Sequence, residues 1–416
     1  MRTARSDRFP LVAIHLFIVA LASIWISGCS SSGSSTTPST PTPVTTTTSN
    51  VQSISVTTGP AVASGLLSIN SAFTTVTVCV PGGTTQCQTI GGILVDTGSS
   101  GLRVLSSALT VSLPQQTGPG GNPIAECGEF IDSETWGPVQ TADISLAGEK
   151  ASSVPIQVIG SSGFTVPTSC SDLGPIQDDL VTLGMNGILG VGNFVQDCGE
   201  GCTESGASNV GLYYACPSSG CVVTTEGVAE QVSNPVAFFA TDNNGVIVEL
   251  PAVSGTEASI TGSLIFGIGT QSNNGLGSAT VYTLDPETGT FTTTFKGQAL
   301  TDASFLDTGS NAIYFLDSAS TGLPICTDLT FWYCPSSTQS FSAVTQGSNG
   351  ATATINFSIA NADTLTSNMN DGVAAGLGGP GPGLFDWGLP FFYGRNVYTA
   401  IEGSSTPGGD GPYWAY

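Results

Sequence analysis

The chain has 416 residues, only seven Lys and Arg against 30 Asp and Glu, and a formal net charge of −23. Nucleic acid is excluded as a partner, because neutralising phosphates takes clustered cations. The one histidine, His15, lies in the first 28 residues. The rest of the chain therefore supports neither a Ser-His-Asp nor a Cys-His mechanism and offers no histidine to a metal. Carboxylate chemistry is what remains for hydrolysis, with no metal and no cofactor expected.

In chain order, Arg2, Arg5 and Arg8 precede an apolar run from Phe9 to Ile26, which ends in Ile26-Ser27-Gly28-Cys29. A basic segment, an apolar core and small residues before a cut are the marks of an export signal. A plain membrane anchor is the alternative, but the run barely reaches the roughly 18–20 apolar residues a span needs. The Cys after Ser-Gly resembles the bacterial lipobox, so residues 1–28 are expected to be a lipoprotein signal peptide and Cys29 the lipidated N-terminus. Ser30 rather than Asp resembles the outer-membrane sorting pattern. The expected location is the bacterial cell envelope, lipid-anchored to the outer membrane and facing the periplasm or the exterior.

Residues 29–50 are nearly all Ser, Thr and Pro, too polar to repay their ordering entropy, and read as an extended tether. Beyond residue 28 the basic residues are Arg103, Lys150, Lys296 and Arg395, against 29 acidic ones, a net charge of −25. Such a surface stays soluble near neutral pH and carries few fixed positive charges in acid. Removing Cys29 from the eleven cysteines leaves ten, an even number that suggests disulfides in an exported chain. The close pairs Cys79/Cys87, Cys216/Cys221 and Cys326/Cys334 suit hairpin staples. Connectivity among Cys127, Cys170, Cys198 and Cys202 stays open, and no C-x-x-C knuckle suggests a metal.

From Val51 onward, Val76, Val78 and Val80, then Val154, Ile156 and Val158, then Leu264 and Phe266 alternate with polar residues, and Gly, Pro and Asn clusters separate the runs. This is the pattern of an all-β protein, with few helices, one short one around Val228–Val232. The length exceeds one ordinary β core, so two lobes are expected, residues 51–245 and 246–416. One segment repeats. Gly92-Ile93-Leu94-Val95-Asp96-Thr97-Gly98-Ser99-Ser100 has its counterpart, 211 positions on, in Ala303-Ser304-Phe305-Leu306-Asp307-Thr308-Gly309-Ser310-Asn311. Each is an apolar strand running into Asp-Thr-Gly-Ser, with a second apolar strand after it. One such loop is a weak signal; two in the same strand context are a strong one.

The pair resembles the two active-site loops of pepsin-like aspartic peptidases. Asn186-Gly187-Ile188-Leu189-Gly190-Val191-Gly192 looks like the element that backs the first loop, Gly262 to Gly267 like the strand entering the second lobe, and Trp387 to Phe391 with Val397 to Ile401 like its closing element. The resemblance implies two similar β lobes, barrel-like, around a central cleft, with Asp96 and Asp307 as paired catalytic carboxylates. Two close carboxylates cannot both ionise, so they share a proton and serve as base and acid. Gly98 and Gly309 allow close backbone approach. By the resemblance, Thr97 and Thr308 cross-link the loops, and Ser99 and Ser310 donate to the outer carboxylate oxygens.

Four departures accompany it. Arg103 stands where the family usually has Trp. No Tyr occurs before Tyr213, so the flap, expected within Cys127–Val139, would have Phe130 or Trp136 over the cleft. Asp386 stands where an apolar residue is expected, as either a surface carboxylate or a buried group perturbing the pair. No basic pro-segment lies between Arg8 and Arg103. The expected function is an envelope-anchored, monomeric aspartic endopeptidase acting on peptides or unfolded protein. The alternative is a catalytically inactive lipoprotein of the same fold that holds peptide in its cleft.

Overall fold

The computed structural model describes residues 50–60, 68–118 and 120–416; the expected signal segment, Cys29 and nearly all of the tether lie outside them. The alternating runs become strands with their apolar side chains inward. β1 is Val51–Thr57, β2 Ser71–Cys79, β3 Cys87–Asp96, β4 Ser100–Leu105, β5 Ile124–Glu129, β6 Glu134–Leu146, β7 Glu149–Ile159 and β8 Gly187–Val191. In β2, Val76 and Val78 are buried while Thr75 is exposed, the two-residue period of a sheet with one face on a core. The described helices are single turns, and Val228–Glu230 is one 3-10 turn in the region where a short helix was expected.

The order β6-β7-β4-β8-β3-β2, with a further pairing of β6 to β2, closes six strands into a barrel. Val76, Ile93, Val95, Leu102, Val104, Ile144 and Ile156 belong to its core, each 0 % exposed. β1 pairs with β2 on one side. On the other it joins a run of principal strands from the second half, β10 (Ile260–Phe266) beside β9 (Gly245–Glu249). The other longer second-half strands are β11 Phe291–Phe295, β12 Gln298–Leu306, β13 Ile313–Leu316, β14 Gln339–Gln346, β15 Thr352–Ile359, β16 Gly381–Trp387 and β17 Asn396–Ala400. Order β15-β14-β11-β12-β16-β13 makes the second barrel-like sheet, and β17 lies beside β9. Phe295, Phe315, Phe341, Phe357, Phe385 and Trp387 pack within it, mostly edge-to-face or tilted, with Phe315 and Phe385 stacked, the edge-to-face contacts being favoured by the ring quadrupole.

Both halves build the same local device. β8 runs parallel to β3 and antiparallel to β4, so the two strands flanking the first Asp loop grip a third between them. β16 does the same between β12 and β13. The chain passes so close that a Cβ on Gly190 would lie 2.7 Å from the Ser100 carbonyl carbon, and one on Gly388 would lie 2.1 Å from the Ala312 carbonyl oxygen.

Five disulfides close the described cysteines. Cys79–Cys87, Cys216–Cys221 and Cys326–Cys334 are the expected local staples, and the open set resolves to Cys127–Cys170 and Cys198–Cys202. Their number marks a protein of an oxidising, non-cytoplasmic compartment.

Candidate active site

Asp96 ends β3 and Asp307 follows β12 directly, so two rigid strands aim the two loops at each other. Thr97 and Thr308 lock them together below the carboxyls. Thr97 Oγ1 donates to the Leu306 carbonyl at 3.0 Å and Thr308 Oγ1 to the Val95 carbonyl at 2.7 Å. Each hydroxyl also accepts the amide of the other threonine, at 3.0 and 3.1 Å. Both side chains are buried, so all four groups would be left unpaired in a low-dielectric interior without this exchange.

Above the lock the carboxyls are held alike. The Gly98 amide donates to Asp96 Oδ1 at 2.8 Å and the Gly309 amide to Asp307 Oδ1 at 2.6 Å. Ser99 donates its hydroxyl to Asp96 Oδ2, and Ser310 donates to Asp307 Oδ2 at 3.0 Å. A Cβ on Gly98 would lie 2.6 Å from the Asp307 carboxyl carbon, and one on Gly309 would lie 2.8 Å from Asp96 Oδ1. Any side chain at either glycine would occupy the space of the opposite carboxyl. The two carboxyls hydrogen-bond to one another, and burial, then the charges of Asp96 and Asp386, push Asp307 well above the usual carboxylate range. Asp307 thus keeps a proton where a free carboxyl has lost it. A buried pair with one proton is able to take a proton from water and give one to a carbonyl oxygen.

Beside the first loop lies a pocket of about 160 Å³ whose walls include Gly98, Ser99, Arg103, Phe130, Phe194 and Leu212. Phe130, in the turn of the β5–β6 hairpin, therefore reaches the cleft, with the Arg103 guanidinium 5.6 Å from its ring centre. Trp136 does not. It is 2 % exposed, donates its indole N–H to the Phe164 carbonyl at 2.9 Å and meets Tyr214 edge-on at 5.1 Å. It pairs in register with Cys127, so it shares the hairpin face that the Cys127–Cys170 bridge ties down. The expectation of a Trp136 flap is corrected to an anchor at the hairpin's base.

Arg103 is buried and binds three acceptors: Glu126 on β5, Asp197 Oδ2 at 3.0 Å and the Ser100 carbonyl at 2.9 Å. Burial opposes its charge, and Glu126 and Asp197 outweigh that, so the guanidinium stays ionised. Tyr213 donates to Asp197 Oδ1 at 2.8 Å. This cluster ties the hairpin to the first loop. Glu126, Asp197 and Tyr213 escaped the sequence reading; an Arg inside the apolar run Gly101-Leu102-Arg103-Val104-Leu105 does signal a buried anion, without saying which.

Asp386 is 1 % exposed and its Oδ1 has no partner among the described residues. The surface reading of this residue is overturned, because β16 lies between β12 and β13 with strands on both sides. Burial, only partly offset by a Ser310 hydrogen bond and reinforced by Asp96, holds its carboxyl well above the usual range.

A family model described as "Protein of unknown function (DUF3443)" matches residues 46–416. No curated protein matches the chain. Among solved structures, the aspartic proteinase from Irpex lacteus is similar with a TM-score of 0.52 at 16% identity, over 88% of this chain and 96% of that one. At that identity the likeness establishes the fold, all-β and bilobal as in pepsin-like proteinases.

Proposed function

The chain belongs to the family described as Protein of unknown function (DUF3443), and from that premise we propose that it is an aspartic endopeptidase hydrolysing peptide bonds with a water activated by Asp96 and Asp307. The observation that carries the reading is the reciprocal Thr97–Thr308 lock, which brings two carboxyls into hydrogen-bond contact at the cleft. Asp96 takes a proton from water as the oxygen attacks the carbonyl carbon, and Asp307 gives its proton to the carbonyl oxygen. Collapse of the tetrahedral intermediate breaks the C–N bond as the leaving nitrogen takes the proton held by Asp96 and one hydroxyl of the intermediate returns its proton to Asp307, which restores the pair. Phe130 covers the substrate without a phenolic hydroxyl. The partner is a peptide or unfolded protein segment, bound by a monomer and held at the bacterial envelope through lipidated Cys29. That anchor rests on the Ile26-Ser27-Gly28-Cys29 pattern.

A second reading, a peptide-holding protein that does not cut, is favoured by the Arg103–Glu126–Asp197 cluster in place of the family's Trp and Tyr. A diverse peptide mixture incubated with the oxidised protein between about pH 3 and pH 7 separates the two. Cleavage blocked by a statine-type inhibitor and reduced by about 10²–10⁴-fold in Asp96→Asn and Asp307→Asn supports the peptidase. Peptide binding with no cleavage at any pH supports the holder.

A further inference from the structure

The two halves share one register around their loops, and at one buried position of it an aliphatic in the first half is replaced by a carboxyl in the second. Asp96 lies opposite Gly190, and Leu94 opposite Ile188. In the second half Leu306 lies opposite Trp387 and Phe305 opposite Asp386, which sets Asp307 against Gly388. Asp386 thus occupies the place of Ile188. Ile188 is an ordinary buried aliphatic, whereas Asp386 brings an ionisable group and an oxygen without a partner into the same interior. A bare buried polar group is costly, so its retention beside the two Asp loops calls for a role there.

Its neighbours define that role. The Ser310 hydroxyl donates its one proton to Asp307 Oδ2 at 3.0 Å and also acts on the Asp386 carboxyl, so Ser310 stands beside both carboxyls. Asp307 feels its charge, and Asp386 feels that of Asp96. From β13, paired with β16, Tyr314 faces it, with its own hydroxyl committed to Asn311 Oδ1 at 2.7 Å. On β12, Asp302 is exposed. Among the described residues no cation joins the group: Arg103 binds Glu126 and Asp197, Lys150 binds Asp143, Lys296 the Thr321 carbonyl and Arg395 the Phe391 carbonyl.

We propose that Asp386 is a third carboxyl of this site, a positioning residue that keeps the shared proton on the Asp96/Asp307 pair toward neutral pH. The inference rests on the peptidase reading for its consequence, but not for its electrostatics. Three buried carboxyls without a cation cannot all ionise. The last proton stays between Asp96 and Asp307, where two carboxyls hydrogen-bond to share it. With Asp386 ionised while the pair still holds that proton, its negative charge, placed beside Asp307 by the β12–β16 register, makes the departure harder. A position occupied by Ile, as in the first half, gives no such help. A dyad that must stay singly protonated to work then remains active at higher pH than it would alone.

The test uses Asp386→Asn, which keeps shape and hydrogen bonding, and Asp386→Ile, which copies the first half. Carboxyl carbons of Asp-labelled protein are titrated by ¹³C NMR, with Asp96→Asn and Asp307→Asn assigning the signals, and kcat is followed against pH on a cleaved peptide. The expected result is that the upper titration of the pair falls by about one unit, a tenfold loss of proton affinity. The high-pH limb of kcat falls with it, while kcat at the acid optimum stays within about threefold and KM is unchanged. A pair that titrates unchanged or higher in both variants overturns the proposal, as does an even loss of kcat at every pH, the mark of a merely structural role. A lowered titration in protein that cleaves nothing at any pH upholds the coupling and removes the peptidase reading alone.

Discussion

Replacing Arg103 isolates what the buried ion cluster contributes. Its guanidinium is the only cation facing Glu126 and Asp197 among the described residues, and all three are buried. Arg103→Met keeps most of the apolar stem but strands two carboxylates in an interior that does not solvate them. The expected loss at neutral pH is about 3–5 kcal/mol, read from guanidinium unfolding midpoints. At about pH 4 the loss should shrink, because Asp197, whose carboxyl burial already raises, can then become neutral by taking a proton. An equal loss at both pH values would mean that Arg103 acts through packing alone. Since the cluster also holds the hairpin carrying Phe130, the variant should raise KM for peptide more than it lowers kcat.

At the scale of elements, the β5–β6 hairpin has the most distinct construction. One end is fixed by Cys127–Cys170, Trp136 and Tyr214, while the turn residues Phe130 and Ile131 stay partly or fully exposed. Cys127 and Cys170 are 43 residues apart, whereas Cys198 and Cys202 are four apart. By loop-closure entropy the first bridge stabilises by about 4 kcal/mol and the second by about 2 kcal/mol. Double Ala variants should rank in that order in denaturant midpoint, and only the first should speed proteolysis within the hairpin; the reverse order would show that the bridge does not hold it. The same hairpin marks a limit of the sequence. The Asp-Thr-Gly-Ser loops, the 186–192 support and the local staples were legible because each is a contiguous signal. Which hairpin face meets the cleft was not, since Trp136 and Phe130 differ only in which partners long-range pairing gives them. Asp386 was open for the same reason: only the strands on either side of β16 make its position interior.

The whole molecule should be an acid-favouring fold. Several buried carboxyls bind protons more tightly folded than unfolded. Burial, then Glu129 and Asp132, raise Glu134 from its ordinary 4.5 to about 8, and burial, then Glu230, raise Glu226 to about 7. Asp197, Asp307 and Asp386 shift the same way. For a raised carboxyl the stabilisation is complete below the unfolded value and is lost as pH rises through the folded one. Glu134 therefore weakens the fold between about pH 4.5 and 8. Asp143, Asp179, Asp285 and Asp317 are lowered by their hydrogen bonds, so their contribution is lost only toward stronger acid. The melting temperature should thus be higher at about pH 5 than at about pH 8. General repulsion among 29 acidic residues beyond the first 28 predicts the same direction, but the two causes separate. Added salt screens long-range repulsion and raises stability at pH 8, yet it barely reaches a buried carboxyl. Glu134, with Oε2 buried and unpartnered, is the group to change. Glu134→Gln should flatten the decline between pH 5 and pH 8 at high salt, where repulsion is already screened. If high salt alone abolishes the decline in the unaltered protein, its origin is the surface and the buried carboxyls play no part in it.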